Sequence, residues 1–260
     1  VIDEEGNCLT VAGPGSGKTA TMVQKIRHIL AAPSTFVVAV TFTRDAANEL
    51  QSRLAQVLDR RSMARLRVGT FHSLTLQHLS DCRQKPRIIT PAQQSTLLNR
   101  AIKAHQVERG EAQQLFEAAK CSLVPVPEVE SLPWFVHYEQ MLARSGMEDL
   151  HDVMRKTVLR MREGSLPLLT ATHLIVDEYQ DCDEVQYKWT ALHTNSGVIT
   201  TVVGDDDQTI YEWRRAIGWP CARRLAGQWS PGRKRRQPAC PRLKPTLHWI
   251  SCLAPARTGS

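Results

Sequence analysis

The sequence predicts an α/β protein built on a parallel sheet. Short apolar segments, one near the start and others near residues 40, 175 and 200, have the length of buried strands. Between several of them lie segments whose apolar residues recur every three or four positions, as in amphipathic helices. Strands and helices in this order indicate right-handed crossovers between parallel strands.

The strands and helices of the sheet can be placed along the chain. We predict strands at residues 8–11, 36–40, 174–176 and 198–203. Helices are predicted around apolar positions 23–30 and 46–58 and at residues 183–194.

Residues 76–165 carry helical patterns only, and we predict that they form a helical subdomain inserted into the sheet domain. Thr90 is a good helix start, because Pro91 tolerates the first helical position and Gln93 can bond back to the cap. Prolines between residues 125 and 133 interrupt the pattern before an aromatic helix. The sheet domain then comprises residues 1–75 and 166–216.

The last segment, residues 217–260, is predicted to be an irregular tail. It holds nine basic residues and no acidic one, whereas residues 1–216 hold 24 basic and 26 acidic residues. The net charge of +7 therefore belongs to the tail, and it is no evidence for a nucleic-acid-binding body. Two interpretations remain open: a basic arm that binds nucleic acid, or a shifted reading frame near residues 217–222.

Composition excludes several other classes. No apolar stretch approaches the roughly 20 residues that a membrane span needs, and the polar start does not resemble a signal peptide. We therefore expect a cytoplasmic protein that has no membrane partner. Seven scattered cysteines without a C-x-x-C pair suggest neither a disulfide framework nor a zinc site.

A phosphate-binding loop is predicted between the first strand and the first helix. Small residues let backbone N–H groups turn toward phosphate oxygens, and the following helix N-terminus favours an anion. Lys18 would bind the β and γ phosphates and Thr19 would bind Mg²⁺. The predicted nucleotide-binding residues are Ala12, Gly13, Pro14, Gly15, Ser16, Gly17, Lys18, Thr19 and Ala20.

A pair of carboxylates, Asp177 and Glu178, ends the apolar strand 174–176. ATP hydrolysis needs one carboxylate to hold Mg²⁺ and another to accept a proton from the attacking water. An apolar strand that ends in two acids is common by itself. Downstream of a phosphate-binding loop it predicts a catalytic pair, with Asp177 on the metal.

Five motifs in order resemble motifs I, Ia, Ib, II and III of superfamily 1 DNA helicases of the UvrD/Rep/PcrA type. They are the phosphate-binding loop, TFTRDAANEL (41–50), GTFHS (69–73), VDEYQD (176–181) and VGDDDQTIYEWRRA (203–216). The resemblance covers residues 1–216. It implies a P-loop NTPase of the RecA-like fold with ATP and Mg²⁺ as cofactors, in which residues 76–165 occupy the place of subdomain 1B.

The resemblance also implies roles for individual residues. Gln180 would sense the γ-phosphate, and Gln208 would in addition couple hydrolysis to movement of the DNA. Aromatic rings would stack on single-strand bases, although Phe42 and Trp213 could also be ordinary core residues. The residues implied to contact DNA are Thr41, Phe42, Thr70, His72, Tyr211, Trp213 and Arg214.

The expected function is that of an ATP-dependent 3′–5′ DNA helicase or translocase in repair, replication restart or plasmid transfer. Its partners would be single-stranded DNA or a junction with duplex, together with another helicase or repair subunit. Ala12 and Ala20 replace the family's usual Gly and Arg, its adenine-reading glutamine would lie upstream of residue 1, and its motifs IV to VI are not found. We therefore expect a part truncated after motif III, with impaired activity. Alternatives are a nucleotide-gated single-strand binder and part of a helicase–nuclease subunit.

Overall fold

A computed structural model describes residues 6–11, 13, 16–204 and, for the backbone alone, 248–251. The strands are β1 (Cys8–Val11), β2 (Val37–Thr41), β3 (Leu66–Thr70), β4 (His173–Val176), β5 (Ile199–Gly204) and β6 (His248–Ser251). The helices are α1 (Lys18–Leu30), α2 (Arg44–Val57), α3 (Arg60–Met63), α4 (Phe71–Asp81), α5 (Pro91–Ala104), α6 (Arg109–Lys120), α7 (Pro127–Glu130), α8 (Pro133–Ser145), α9 (Leu150–Arg162) and α10 (Glu184–Asn195).

The six strands form one sheet in the order β3-β2-β4-β5-β1-β6, and every neighbouring pair is parallel. The predicted α/β class with a parallel sheet is thereby confirmed. The second predicted strand begins one residue later than expected, since Phe36 is 45% exposed and lies outside β2.

Two strands were not predicted. β3 has the sequence LRVGT, whose arginine and glycine hide the apolar signal of an edge strand. β6 lies within the segment predicted to be an irregular tail, and its backbone pairs with β1. Both segments form strands because they pair with a neighbouring strand. Local sequence patterns do not show such pairing.

Helices cover both faces of the sheet. Alternate residues of β2 point to opposite faces, so Val37 and Ala39 pack with α1 and α2. Val38 and Val40 belong to the other core, which includes residues of α4, α9 and α10. Because both faces are buried, the central strands read as continuous apolar runs.

Helices α5 to α8 surround a separate core that includes Phe116, Trp134, Phe135 and Tyr138. The predicted start of α5 is confirmed, because the Thr90 hydroxyl accepts from the Gln93 backbone N–H at 3.2 Å and Gln93 Oε1 accepts from the Thr90 N–H at 2.8 Å. α4 and α9 lie within the all-helical stretch but pack on the core of the sheet. The bounds 76–165 for the insertion therefore stay a prediction, and the packing favours a shorter segment built on α5 to α8.

Among the described residues, no helix has both the length and the apolar character needed to cross a membrane. The four cysteines that the structure describes, Cys8, Cys82, Cys121 and Cys182, are free thiols.

Candidate functional site

Helix α1 begins without a side-chain cap among the described residues. Gly17 is the N-cap residue, and it adopts the left-handed conformation (φ 81°). A Cβ added at Gly13 or Gly17 would meet no atom within 4 Å. The buried Ser16 hydroxyl has no hydrogen-bond partner within the part of the chain that the structure describes. Open backbone N–H groups, space and an unsatisfied hydroxyl together fit a phosphate group.

The second part of the site follows β4. The Asp177 N–H donates to the Val40 carbonyl at 2.9 Å, which extends the pairing of β4 with β2 by one residue. Glu178 then adopts the left-handed region (φ 47°, ψ 46°), and a 3₁₀ turn covers Tyr179–Asp181. A non-glycine residue in this region is strained, and such strain concentrates at functional sites.

An ion pair joins the two parts. Lys18 Nζ lies 3.2 Å from both carboxylate oxygens of Glu178, and the Gln180 amide donates to Glu178 Oε2 at 2.7 Å. The predicted residues Lys18, Glu178 and Gln180 are therefore brought together although 160 residues separate the first two. Lys18 and Glu178 keep 15% and 34% of their side-chain surface exposed, so the pair stays open to a competing anion.

Gly204 ends β5, the strand that lies between β4 and β1 in the sheet. A Cβ at this position would lie 2.7 Å from Gln180 Oε1. The absent side chain thus gives Gln180 the room to lie beside Glu178. The sequence shows Gly204 only as the end of a strand, so this function could not be predicted from it.

Two carboxyl groups of the site have near-neutral pKa values. Burial raises the pKa of Asp177 to about 6, and the neighbouring Glu178 carboxylate raises it further while Lys18 opposes the shift. Burial and Glu178 likewise raise the pKa of Asp181 to about 6, and Asp181 Oδ1 has no hydrogen-bond partner among the described residues. The sequence reasoning gave Asp181 no role, although it ends the VDEYQD motif. Carboxylates that burial destabilises in this way favour a bound cation.

The hydroxyl of Thr19 and the carboxylate of Asp177 are oxygen donors of the kind that Mg²⁺ prefers. With the open turn before α1 and the ammonium of Lys18, they form a donor set that fits Mg-ATP. Ala20 is exposed on the first turn of α1. Seven predicted residues lie outside the described part of the chain: Ala12, Pro14, Gly15, Gln208, Tyr211, Trp213 and Arg214.

The described residues predicted to contact DNA follow two neighbouring strands. Thr41 and Thr70 are paired across β2 and β3, so the turns after them lie at one edge of the sheet. Thr41 is 2% exposed and donates to the Thr43 carbonyl at 3.0 Å, and the Thr70 hydroxyl caps α4. Both hydroxyls are thus used inside the protein. Phe42 and His72 are half-buried, and the His72 ring lies 6.1 Å from that of His151 in a T-shaped arrangement.

Comparison with known proteins agrees with this geometry. The UvrD/REP helicase N-terminal domain matches residues 1–217. The chain is 30% identical to the ATP-dependent DNA helicase Rep of Buchnera aphidicola subsp. Baizongia pistaciae, over 81% of this chain and 35% of the relative. It is also 30% identical to DNA helicase II of Escherichia coli, over 83% and 34%, and to the ATP-dependent DNA helicase PcrA of Leuconostoc citreum, over 82% and 32%.

The chain spans about a third of the length of these relatives, and it corresponds to their N-terminal part. The resemblance predicted from the five motifs is confirmed by these matches. The chain belongs to the UvrD/REP helicase N-terminal domain family.

Proposed function

We propose that this chain is the ATP-binding part of an ATP-dependent 3′–5′ DNA helicase that couples hydrolysis to movement along single-stranded DNA. The observation that carries the proposal is the Lys18–Glu178 ion pair, 3.2 Å long, beside the open N-terminus of α1. The names of the relatives, which are DNA helicases, support the same class of substrate.

The geometry suggests how nucleotide binding would prepare the site. Phosphate oxygens compete with Glu178 for the Lys18 ammonium, because a phosphate carries more charge and is also bound by the backbone of the turn. Once released from Lys18, the Glu178 carboxylate stays hydrogen-bonded to the Gln180 amide. It is then an oriented base for the proton of the attacking water.

Thr19 and Asp177 would hold the metal ion. When bound, Mg²⁺ neutralises charge that develops on the phosphate oxygens. Gln180, in contact with Glu178 on one side and close to Gly204 on the other, is placed to respond to whether the γ-phosphate is present.

Single-stranded DNA would bind along the edge where β2 and β3 end. Thr41 bonds to the loop after β2 and Thr70 caps α4. Phe42 directly follows Thr41, and His72 lies two residues after Thr70. Stacking of a base on an aromatic ring contributes roughly 1 to 3 kcal/mol and tolerates any sequence. By the resemblance, Gln208, Tyr211, Trp213 and Arg214 complete this surface and link it to the nucleotide.

We expect the 260 residues by themselves to bind Mg-ATP without unwinding duplex DNA. In the family, motifs IV to VI supply arginines that stabilise the transition state, and no such motif occurs in this sequence. An arginine of this kind contributes about 10³- to 10⁵-fold to the rate in related phosphoryl-transfer enzymes.

Calorimetric titration with Mg-ATP tests the proposal. Lys18→Ala should weaken binding roughly 10- to 100-fold, because it removes charge-assisted hydrogen bonds to phosphate. Lys103→Ala, which changes an exposed lysine of α5, is the matched control and should leave binding unchanged. Equal affinities of wild type and Lys18→Ala would contradict the nucleotide assignment.

Two further measurements separate the alternatives. Turnover of ATP that single-stranded DNA stimulates and Lys18→Ala abolishes supports an enzyme, whereas DNA affinity that changes with nucleotide without turnover supports a nucleotide-gated binder. Unwinding of a duplex by these 260 residues alone would contradict the expectation of impairment.

A further inference from the structure

The turn that carries the catalytic carboxylates has two anchors. One is β4, and the other is the start of α10, since Cys182 and Asp183 alone separate the 3₁₀ turn from α10. Glu178 is strained in its left-handed conformation, so the flanking structure must hold it there. What fixes the start of α10 therefore also fixes Glu178.

The start of α10 is held by a segment from the helical insertion. We call residues 121–123 the strap; it follows α6 directly. Glu184 Oε2 accepts from the Leu123 backbone N–H at 3.3 Å and lies 3.0 Å from the Ser122 hydroxyl, whose single proton is shared with the Val124 carbonyl at 2.9 Å. A side-chain hydrogen bond from Cys121 reaches Asp183, the N-cap residue of α10.

The strap is fixed to the insertion at its other end. Lys120, the last residue of α6, is 3% exposed, and its ammonium lies 2.5 Å from Glu139 of α8, within the insertion. It also lies 2.9 Å from Asp149 and 2.8 Å from Asp152, at the start of α9. The Leu123 side chain, three residues on, packs against the core of the sheet. The strap therefore crosses from the core of the insertion to the core of the sheet domain.

We propose that Glu184 is a positioning residue that joins the catalytic turn to the helical insertion through the strap. A displacement of α6 moves the strap, the strap moves the start of α10, and the turn at Glu178 follows. The state of the nucleotide site and the position of the insertion are then coupled. The inference rests on the proposed function, because it assigns Glu184 to the site where ATP would be hydrolysed.

Hydrogen–deuterium exchange of the 260-residue chain without nucleotide tests the mechanical link. The probes are the amides of Asp181 and Cys182, which bond to the Glu178 and Tyr179 carbonyls at 3.0 and 3.3 Å. Glu184→Ala should speed their exchange about tenfold, since hydrogen bonds to a charged group are lost at the anchor. Glu184→Gln, which keeps an acceptor oxygen, should restore most of the protection.

Two controls separate this effect from general destabilisation. Glu163→Ala, at an exposed glutamate beyond α9, should leave the two amides unchanged. In the double variant Ser122→Ala/Glu184→Ala the two amides should exchange no faster than in Glu184→Ala alone, because both substitutions break the same Ser122–Glu184 contact. Exchange at Asp181 and Cys182 that is the same in wild type and Glu184→Ala would overturn the inference.

Exchange with Mg-ATP tests the coupling. In the wild type, Mg-ATP should slow exchange in the turn and also at the end of α6; in Glu184→Ala it should slow exchange in the turn alone. Equal protection of α6 in both proteins would contradict the coupling. If no variant binds Mg-ATP, the proposed function fails, and the nucleotide-free comparison still decides whether Glu184 holds the turn.

Discussion

Lys18 and Lys120 both face carboxylates, and their surroundings differ. Lys18 meets Glu178 in a partly exposed pair next to a glycine turn and an uncapped helix. Lys120 is buried among Glu139, Asp149 and Asp152, with the rings of Phe116, Phe135 and Tyr138 within 5.7 Å of its ammonium.

We interpret the Lys18 pair as a binding site whose partner can change, and the Lys120 cluster as a structural ion-pair cluster. Burial alone would lower the pKa of Lys120, but Asp149, Asp152 and Glu139 together raise it above its usual value. Lys120 therefore stays charged and is held by three carboxylates. The three carboxylates could be taken for a metal site, but the ammonium already occupies the place of a cation. Lys18 has Glu178 as its ion-pair partner among the described residues, and we propose that it moves to a phosphate when nucleotide binds.

The largest expected effect comes from Lys120→Met. The change leaves three carboxylates without their counter-charge, and breaking a buried ion pair in this way costs about 3 to 5 kcal/mol. Urea unfolding should show this loss, whereas Lys156→Met, which breaks an exposed pair with Glu148, should change the free energy of unfolding by less than about 1 kcal/mol. Similar decreases in the free energy of unfolding in the two variants would show that the buried lysine stabilises the fold no more than the exposed one.

His193 is another buried polar residue whose hydrogen bonds are satisfied within the protein, and we expect it to contribute to stability as Lys120 does. Its Nδ1–H donates to the Trp189 carbonyl at 2.8 Å and its Nε2 accepts from the Leu169 N–H at 3.2 Å, so both nitrogens are satisfied only in the neutral ring. Burial lowers the pKa of His193 to about 4.

The unfolded chain therefore binds this proton below about pH 6.5 while the native state does so only near pH 4. Stability is complete above pH 6.5 and should fall by on the order of 3 kcal/mol as the pH drops to 4. Urea unfolding of the wild type and of His193→Gln between pH 7.5 and 4 measures this slope. The slope should be weaker in His193→Gln and unchanged in His28→Gln, which alters an exposed histidine.

The smallest expected effect on stability comes from Gly204→Ala, which probes the site around Lys18 and Glu178. The new methyl group would displace the end of the flexible Gln180 side chain from 2.7 Å, so stability should change by less than about 1 kcal/mol. Gln180 would lose its hydrogen bond to Glu178, and the preference for ATP over ADP should fall roughly tenfold. Calorimetric titration measures both affinities, with Gly110→Ala in α6 as the control. An unchanged preference would show that Gln180 does not sense the γ-phosphate.

Local patterns predicted the central part of the fold well. The strands that became β1, β2, β4 and β5 are mainly apolar, and α5 and α10 begin at capping residues. β3 and β6 were missed because their order depends on a neighbouring strand rather than on their own composition. The extent of the insertion also depends on packing, since α9 looks like any other amphipathic helix and yet contributes Val153, Met154 and Val158 to the core of the sheet.

The candidate site was predictable where function demands particular residue types in sequence. Lys18, Thr19, Asp177 and Glu178 belong to short motifs with a chemical reason for each residue. Gly204, Asp181 and Glu184 were given no role, because each acts through a neighbour that is distant in the sequence or outside the motif. Thr41 and Thr70 were expected to contact DNA, and the structure shows their hydroxyls bonded within the protein.

The sequence by itself determined the family and the fold class and predicted the nucleotide-binding chemistry, because these depend on local periodicity and on motifs a few residues long. The tertiary structure alone decided that Lys18 meets Glu178, that Lys120 is buried among three carboxylates, and that Glu184 contacts the strap. These contacts join residues that lie far apart along the chain, and only the packing of the sheet and its helices brings them within hydrogen-bonding distance.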